Sequence, residues 1–234
     1  MIIKKFATLF DLDTPVKPEC DTLGKNASTG RSMVEMLGVL AIIGVLSVGA
    51  IAGYSKAMMK YKLNKHAEQM NTIINAVARH AHSFDNLSKG TYLTDIFIKM
   101  GEIPTEMTKN SSSYIYDIFG QKWLIAINNQ TRDIHLSTYA QYGGSSALSL
   151  KSDDNLEICK NMFLVAKENH NNISVLYTSS ISSDNNRTDV KFYGDALCNS
   201  TVKCIKDATI DDIYTLCTKH INQPSNIFFE IIWY

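Results

Sequence analysis

Gly30-Arg-Ser-Met-Val-Glu35, followed by Met36-Leu-Gly-Val-Leu-Ala-Ile-Ile-Gly-Val-Leu-Ser-Val-Gly-Ala-Ile-Ala-Gly53, decides how the rest of this chain is read. The run Met36–Gly53 holds 18 residues and no charge. As a helix it would be about 27 Å long, roughly the thickness of a bilayer core. One carboxylate, Glu35, stands at its entrance. Near a membrane centre such a group costs on the order of 2.5–3.5 kcal/mol, and less toward the interface. A plain anchor has no use for that cost. A helix that must find a specific partner inside the membrane does.

Toward the C-terminus the run does not end in a turn. No proline or glycine-rich break separates Gly53 from Phe84. Leu63, Met70, Val77 and Phe84 recur every seven residues, and Ala67, Ile74 and Ala81 fall four after the first three. That is one apolar stripe on a helix. Lys62, Lys65, Glu68, Gln69, Asn71, Thr72, Asn75 and Arg79 fill the other faces. The pattern predicts a single helix of roughly 50 residues starting near Ser32, apolar all round in its first half and half-buried in its second. A coiled coil is the competing reading of the second half. The short heptad run, with alanines in one of its two rows, counts against it.

Gly30, four residues, Glu35 and a long apolar helix together resemble the N-terminus of type IV pilins and of the pseudopilins of type II secretion systems. The resemblance covers about 50 residues. It implies that a prepilin peptidase cuts between Gly30 and Arg31, that the new N-terminal residue Arg31 is N-methylated, and that Glu35 guides filament assembly. Gly44 matches a frequent family glycine. Arg31 stands where Phe, Met or Leu is usual, and Ala52 where many members have proline. The expected organisation is a cytoplasmic leader over 1–30, a pilin-type helix over 31–84 with its transmembrane half at 36–53, and a globular domain over 85–234. The leader is polar and mixed in charge, and its apolar run lies after the cut, unlike a secretory signal. The resemblance also implies a bacterial inner-membrane location, with the C-terminal domain periplasmic or on the cell surface. Lys25 and Arg31 on one side, against Lys56, Lys60, Lys62 and Lys65 on the other, favour the opposite orientation by charge alone.

The whole chain has 234 residues and a net charge of zero, with Lys+Arg 23 against Asp+Glu 23. No long basic run occurs, so no nucleic-acid footprint is indicated. Cys20 falls in the leader; Cys159, Cys198, Cys204 and Cys217 remain. Four cysteines in an exported part are compatible with two disulfides in any of three connectivities. The favoured pairing joins Cys198 to Cys204 across a short polar loop, and Cys159 to Cys217 between two helices. Four free thiols are the alternative.

Further along, Leu93–Lys99 reads as a short helix, broken by Gly101-Glu-Ile-Pro104. Asp117, Phe119, Gly120 and Trp123 resemble the Asp-x-Trp-Gly-x-x-Tyr turn of the major pseudopilins, where the first sheet strand begins; a generic aromatic-flanked turn is the other reading. Lys122–Asn128 and Ile134–Tyr139 read as a hairpin about the turn-forming Asn128–Asp133. A helix capped by Asp153 or Asp154 and running to about Glu168 points Leu156, Cys159, Met162, Phe163 and Ala166 inward. Ile173–Thr178 and Val190–Tyr193 are strand candidates. Thr209 and Asp212 form a variant capping box before Ile213, Leu216, Cys217 and His220. Ile227–Tyr234, apolar and aromatic, is expected to close a sheet. The fold class is α+β, with the long helix packed on a small antiparallel sheet and one or two extra helices.

No catalytic constellation stands out. His80 and His82 face different ways on a helix and read as surface residues. Tyr142-Gly-Gly-Ser-Ser lacks the strand and helix of a phosphate loop. Asp184, Asp189 and Asp195 are not at calcium-loop spacing. No C-x-x-C pair supports a metal site. The sequons Asn172-Ile-Ser and Asn199-Ser-Thr read as chance. Neither cofactor nor metal is expected. The leading expectation is a non-enzymatic structural subunit of a pilus-like or pseudopilus filament. Its partners are copies of itself, the prepilin peptidase, the inner-membrane assembly machinery and the membrane. The alternative is a membrane-anchored binding or sensor protein that never polymerises; Glu35 discriminates, since a simple anchor does not need it. An anchored enzyme is disfavoured.

Overall fold

The computed structural model of the chain describes residues 33–108, 113–138, 148–149, 153–181, 187–218 and 226–234. It divides into two units between Ala50 and Ile51, a break that falls inside the first helix. That helix, α1, runs Met33–His80 over 48 residues and passes into a 3-10 turn at Ala81–Phe84. Glu35 in its first turn and Arg79 and His80 in its last complement the helix dipole. The expected single long helix is therefore present.

In the first unit, the α1 residues Met33–Ala50 are exposed throughout. In the second, α1 becomes buried along one side, where Met70, Ile73, Ile74 and Val77 are fully inaccessible. Burying each such side chain contributes about 1.5–3 kcal/mol. The predicted stripe is right in direction but too narrow. Ile73 and Ala76 are also fully buried, because α1 is covered by more than one neighbouring element.

The second unit continues with α2 (Thr94–Lys99), β1 (Ile115–Tyr116), β2 (Lys122–Ile127), β3 (Ile134–Thr138) and β4 (Leu148–Ser149). Then come α3 (Asp153–Glu168), β5 (Val175–Ile181), β6 (Arg187–Tyr193), α4 (Ile210–Thr218) and β7 (Asn226–Trp233). The seven strands form one sheet in the order β1-β2-β3-β7-β5-β6, with every pairing antiparallel. β4 pairs with Asn226 and Ile227, along the part of β7 that β3 leaves free. The fold is α+β, as the sequence predicts, and the β2–β3 hairpin forms where expected.

The last strand, β7, lies at the centre of the sheet, between β3 and β5. Phe228–Trp233 are buried on both faces, which is why this segment is apolar almost without alternation. Phe229, Ile231 and Trp233 join the main core with α1 and α3. Glu230 lies on the opposite face, buried, with its carboxylate 2.6 Å from His135 Nδ1 on β3.

The helix α4 starts at a reciprocal cap: Thr209 Oγ1 accepts from Asp212 N–H at 3.1 Å, and Asp212 accepts from Thr209 N–H at 3.0 Å. The capping-box expectation holds. His220 and Tyr139 lie outside the described residues.

Candidate functional site

The first candidate is the N-terminal half of α1. Its best 18-residue window has a mean hydropathy of 2.4 and no buried residue, so it is long and apolar enough to cross a membrane. Exposed in water, each large side chain there would forgo about 1.5–3 kcal/mol of burial. Glu35 sits in the first turn, also exposed. Gly30 and Arg31, the expected cleavage and methylation positions, lie outside the described residues.

Four glycines interrupt this helix at Gly38, Gly44, Gly49 and Gly53. A glycine inside a helix costs about 0.8–1 kcal/mol relative to alanine. At none of the four would an added Cβ meet anything within 4 Å. Nothing among the described residues therefore needs them small. Gly49 and Gly53 are four apart, the spacing that lets two helix backbones approach closely. Ser47 and Ser55 return their hydroxyl hydrogens to the carbonyls of Ile43 and Ile51, at 2.7 and 3.0 Å, and so present no unsatisfied donor to an apolar partner.

The second candidate is the turn around Asp117, which joins β1 to β2. Asp117 is buried, and its Oδ1 accepts the backbone N–H groups of Phe119 and Gln121, both at 2.9 Å. Its Oδ2 accepts Trp123 Nε1–H at 3.0 Å. Gly120 takes φ +82°, a conformation that side chains rarely adopt. The turn is thus built on the four residues singled out in the sequence. The preceding strand, Ile115–Tyr116, is only two residues long.

The turn is held on α1 by groups the sequence reading placed elsewhere. Gln69, expected on a polar face, is buried; its Oε1 accepts Ile118 N–H at 3.0 Å and its Nε2 reaches Glu106 at 3.3 Å. His66 is wholly buried, with Nε2 3.5 Å from Asp117 Oδ2. Asn161 on α3 donates through one nitrogen to Leu63 O at 3.0 Å and to His66 Nδ1 at 2.9 Å. The Leu63 carbonyl only accepts, so His66 Nδ1 accepts too and the ring proton sits on Nε2, facing the carboxylate. Asn169 bonds Asn71, and Asn172 donates to Asn75 Oδ1 at 3.0 Å. The partners advance together, along α1 and along α3 and the turn that follows it, so α1 and α3 run in the same direction. They form a polar seam beside the apolar core. Lys65 and Gln69 together hold the Glu106 carboxyl below the usual range, Lys65 being the larger cause.

Two disulfides are present, and they are the pairs favoured from the sequence. Cys159 and Cys217 link α3 to α4 with Cα atoms 6.0 Å apart, and Cys198 and Cys204 close a tight loop with Cα atoms 5.3 Å apart. Among the described residues, the group of metal-ligating type is Cys198, Cys204 and Asp207, and its two sulfurs are consumed by the bond between them. His82 is exposed as expected. His80 is half-buried, 3.1 Å from Glu102. The Asn172 side chain is engaged with Asn75, and Asn199 Oδ1 accepts Thr201 N–H at 2.9 Å, so both sequon asparagines have structural work. Tyr142–Ser146 and Asp184 lie outside the described residues.

Comparison of the chain with protein-family models, with curated proteins and with solved structures finds no match in any of the three.

Proposed function

We propose that the chain is a structural subunit of a pilus-like or pseudopilus filament, made as a precursor with the leader 1–30 and anchored in a membrane by α1. The observation that carries this reading is the first half of α1: uncovered, apolar, led by Glu35, and carrying four glycines that no contact among the described residues requires. Helices that pack against copies of themselves use small residues for close approach. A carboxylate in an apolar assembly needs a cationic partner, and the α-amine at Arg31 of a neighbouring subunit supplies one. An unpaired Glu35 would penalise every misregistered neighbour, so the residue sets register as well as affinity.

In this reading the second unit is a non-catalytic surface domain, stabilised for an oxidising compartment by its disulfides. An anchored sensor that stays monomeric gives no reason for the Gly49–Gly53 spacing, which suits close helix approach. N-terminal sequencing and intact mass of the membrane-bound protein test the proposal. A chain starting at Arg31 is expected, and Gly30→Ala should leave an uncleaved precursor. A mature protein that keeps residues 1–30, or one cut after Ala52, would sink the assignment.

A further inference from the structure

Lys56, Lys60 and Lys62 follow closely on the apolar run of α1. Lys56 and Lys60 are exposed and Lys62 is half-buried. Among the described residues no carboxylate lies within ion-pair distance of any of them. The next lysine differs: Lys65 pairs with Glu68 at 3.2 Å and with Glu106 at 2.9 Å. No acidic residue occurs between Glu35 and Glu68. The positive charge beside the apolar run is therefore uncompensated among the described residues, while the charge one turn farther on is matched.

These lysines do not share one face. At about 100° per residue, Lys56 and Lys60 stand on one side of α1 and Lys62 lies roughly 120–160° round from them. Tyr54 and Tyr61, 66% and 59% exposed, take a third side. Groups that surround a helix at neighbouring levels fit a layer that surrounds it too; a protein partner would need them on one face. Counted along an ideal helix from Met36, an apolar core about 30 Å thick ends near Ser55. Lys56, Lys60 and Lys62 then follow about 2, 8 and 11 Å past its edge. A headgroup layer is about 5–7 Å deep, and its field reaches roughly 8 Å farther in physiological salt. Side chains of a helix lean toward its N-terminus, here toward the apolar run, which brings the ammonium groups nearer that layer. Tyrosine suits the same depth, with an apolar ring and a polar tip.

We propose that Tyr54, Lys56, Lys60, Tyr61 and Lys62 form a collar that binds the phosphate headgroups of anionic phospholipids, in the leaflet at the C-terminal end of the apolar run. The collar rests on the membrane-anchored part of the reading above and does not depend on polymerisation. The lysines supply the attraction, and the two tyrosines hold the helix at the level where the headgroups lie. Continuity along one helix carries the choice of partner: the lysines without carboxylate partners are those that directly follow the apolar run.

The purified full chain, reconstituted in phosphatidylcholine vesicles with trace spin-labelled phosphatidylglycerol or phosphatidylcholine, tests this by electron spin resonance. The fraction of label slowed by the protein gives the relative affinity for each lipid. Phosphatidylglycerol should be favoured by about fivefold or more, the worth of one lysine near an anionic surface, and the preference should fall at about 1 M salt. Lys56→Gln with Lys60→Gln and Lys62→Gln should lose most of the preference. Lys89→Gln with Lys99→Gln and Lys203→Gln removes equal charge from exposed positions elsewhere in the second unit and should keep it. A preference kept by the first triple variant, or lost by the second, would overturn the collar. So would equal affinity for the two lipids in a chain that stays inserted, the result expected if the lysines meet an acidic protein instead; anchoring by α1 survives that result. A chain that alkaline carbonate strips from the vesicles would overturn anchor and collar together.

Discussion

Trp123 Nε1 donates to Asp117 Oδ2 at 3.0 Å, and the same carboxylate takes the backbone N–H groups of Phe119 and Gln121 on its other oxygen. One buried side chain therefore satisfies three donors that the β1–β2 turn would otherwise leave without an acceptor. Asp117→Ala should lower the unfolding free energy by about 3 kcal/mol, the cost of stranding buried donors. Asp117→Asn should cost less, since its carbonyl can keep the two backbone bonds while its amide nitrogen faces the indole N–H. Denaturant unfolding of the full chain in detergent, followed by tryptophan fluorescence, gives both values. Equal stability of the alanine variant and the parent would remove the turn from the structural account.

The two disulfides should differ in worth. Cys159–Cys217 closes a separation of 58 residues, and Cys198–Cys204 one of 6. In the chain-entropy model the first contributes about 4 kcal/mol and the second about 2 kcal/mol. Paired serine substitutions should reproduce that order in melting temperature. Alkylation of the folded native protein without reductant should label none of the four cysteines. Labelling of all four would refute the pairing.

Acid should weaken the second unit partly through Glu102. The His80 ring beside it, and then the Arg79 guanidinium, hold its carboxyl below the ordinary value of 4.5. A carboxyl with a depressed folded pKa binds its proton more readily in the unfolded chain. Its contribution is therefore complete above 4.5 and is lost as pH falls through the folded value. Glu102→Gln should be slightly less stable than the parent at neutral pH, a small effect for a partly exposed pair. The gap should close as the pH falls below 4.5 and through the folded value. Melting temperature against pH measures it, and a gap of constant size down to pH 3 would rule the group out.

On the proposed filament reading, substitutions at Glu35 and the glycines should separate assembly from folding. Glu35→Ala should leave the protein in the membrane with both disulfides formed, while filaments seen by electron microscopy are lost or sparse. Glu35→Gln should do the same if the pairing is ionic. Gly49→Leu with Gly53→Leu should spare the monomer, because an added Cβ meets nothing within 4 Å, and should still reduce filaments. Normal filaments from all these variants would show that this half of α1 is an anchor and nothing more.

Much of the fold was legible because its signals are local. The apolar run, the seven-residue recurrence to Phe84, the Thr209–Asp212 cap and the Asn128–Asp133 turn each depend on residues within a turn or two of one another. Asp117, Gly120 and Trp123 were legible as a turn for the same reason. Gln69 was misplaced because a polar side chain on a helix reads as solvated unless its partner is known, and the partner, Ile118 N–H, is 49 residues away.

The sequence alone determined that one long helix starts beside Glu35, that its two halves meet different surroundings, and that the cysteines after residue 30 form an even set. The tertiary structure decided the rest. It put β7 at the sheet centre, set Glu230 against His135 from 95 residues away, and locked His66 between Asn161 and Asp117. Strand order and buried polar pairs follow from which surfaces exclude water together. That is a property of the packed layers, and no window of neighbouring residues contains it.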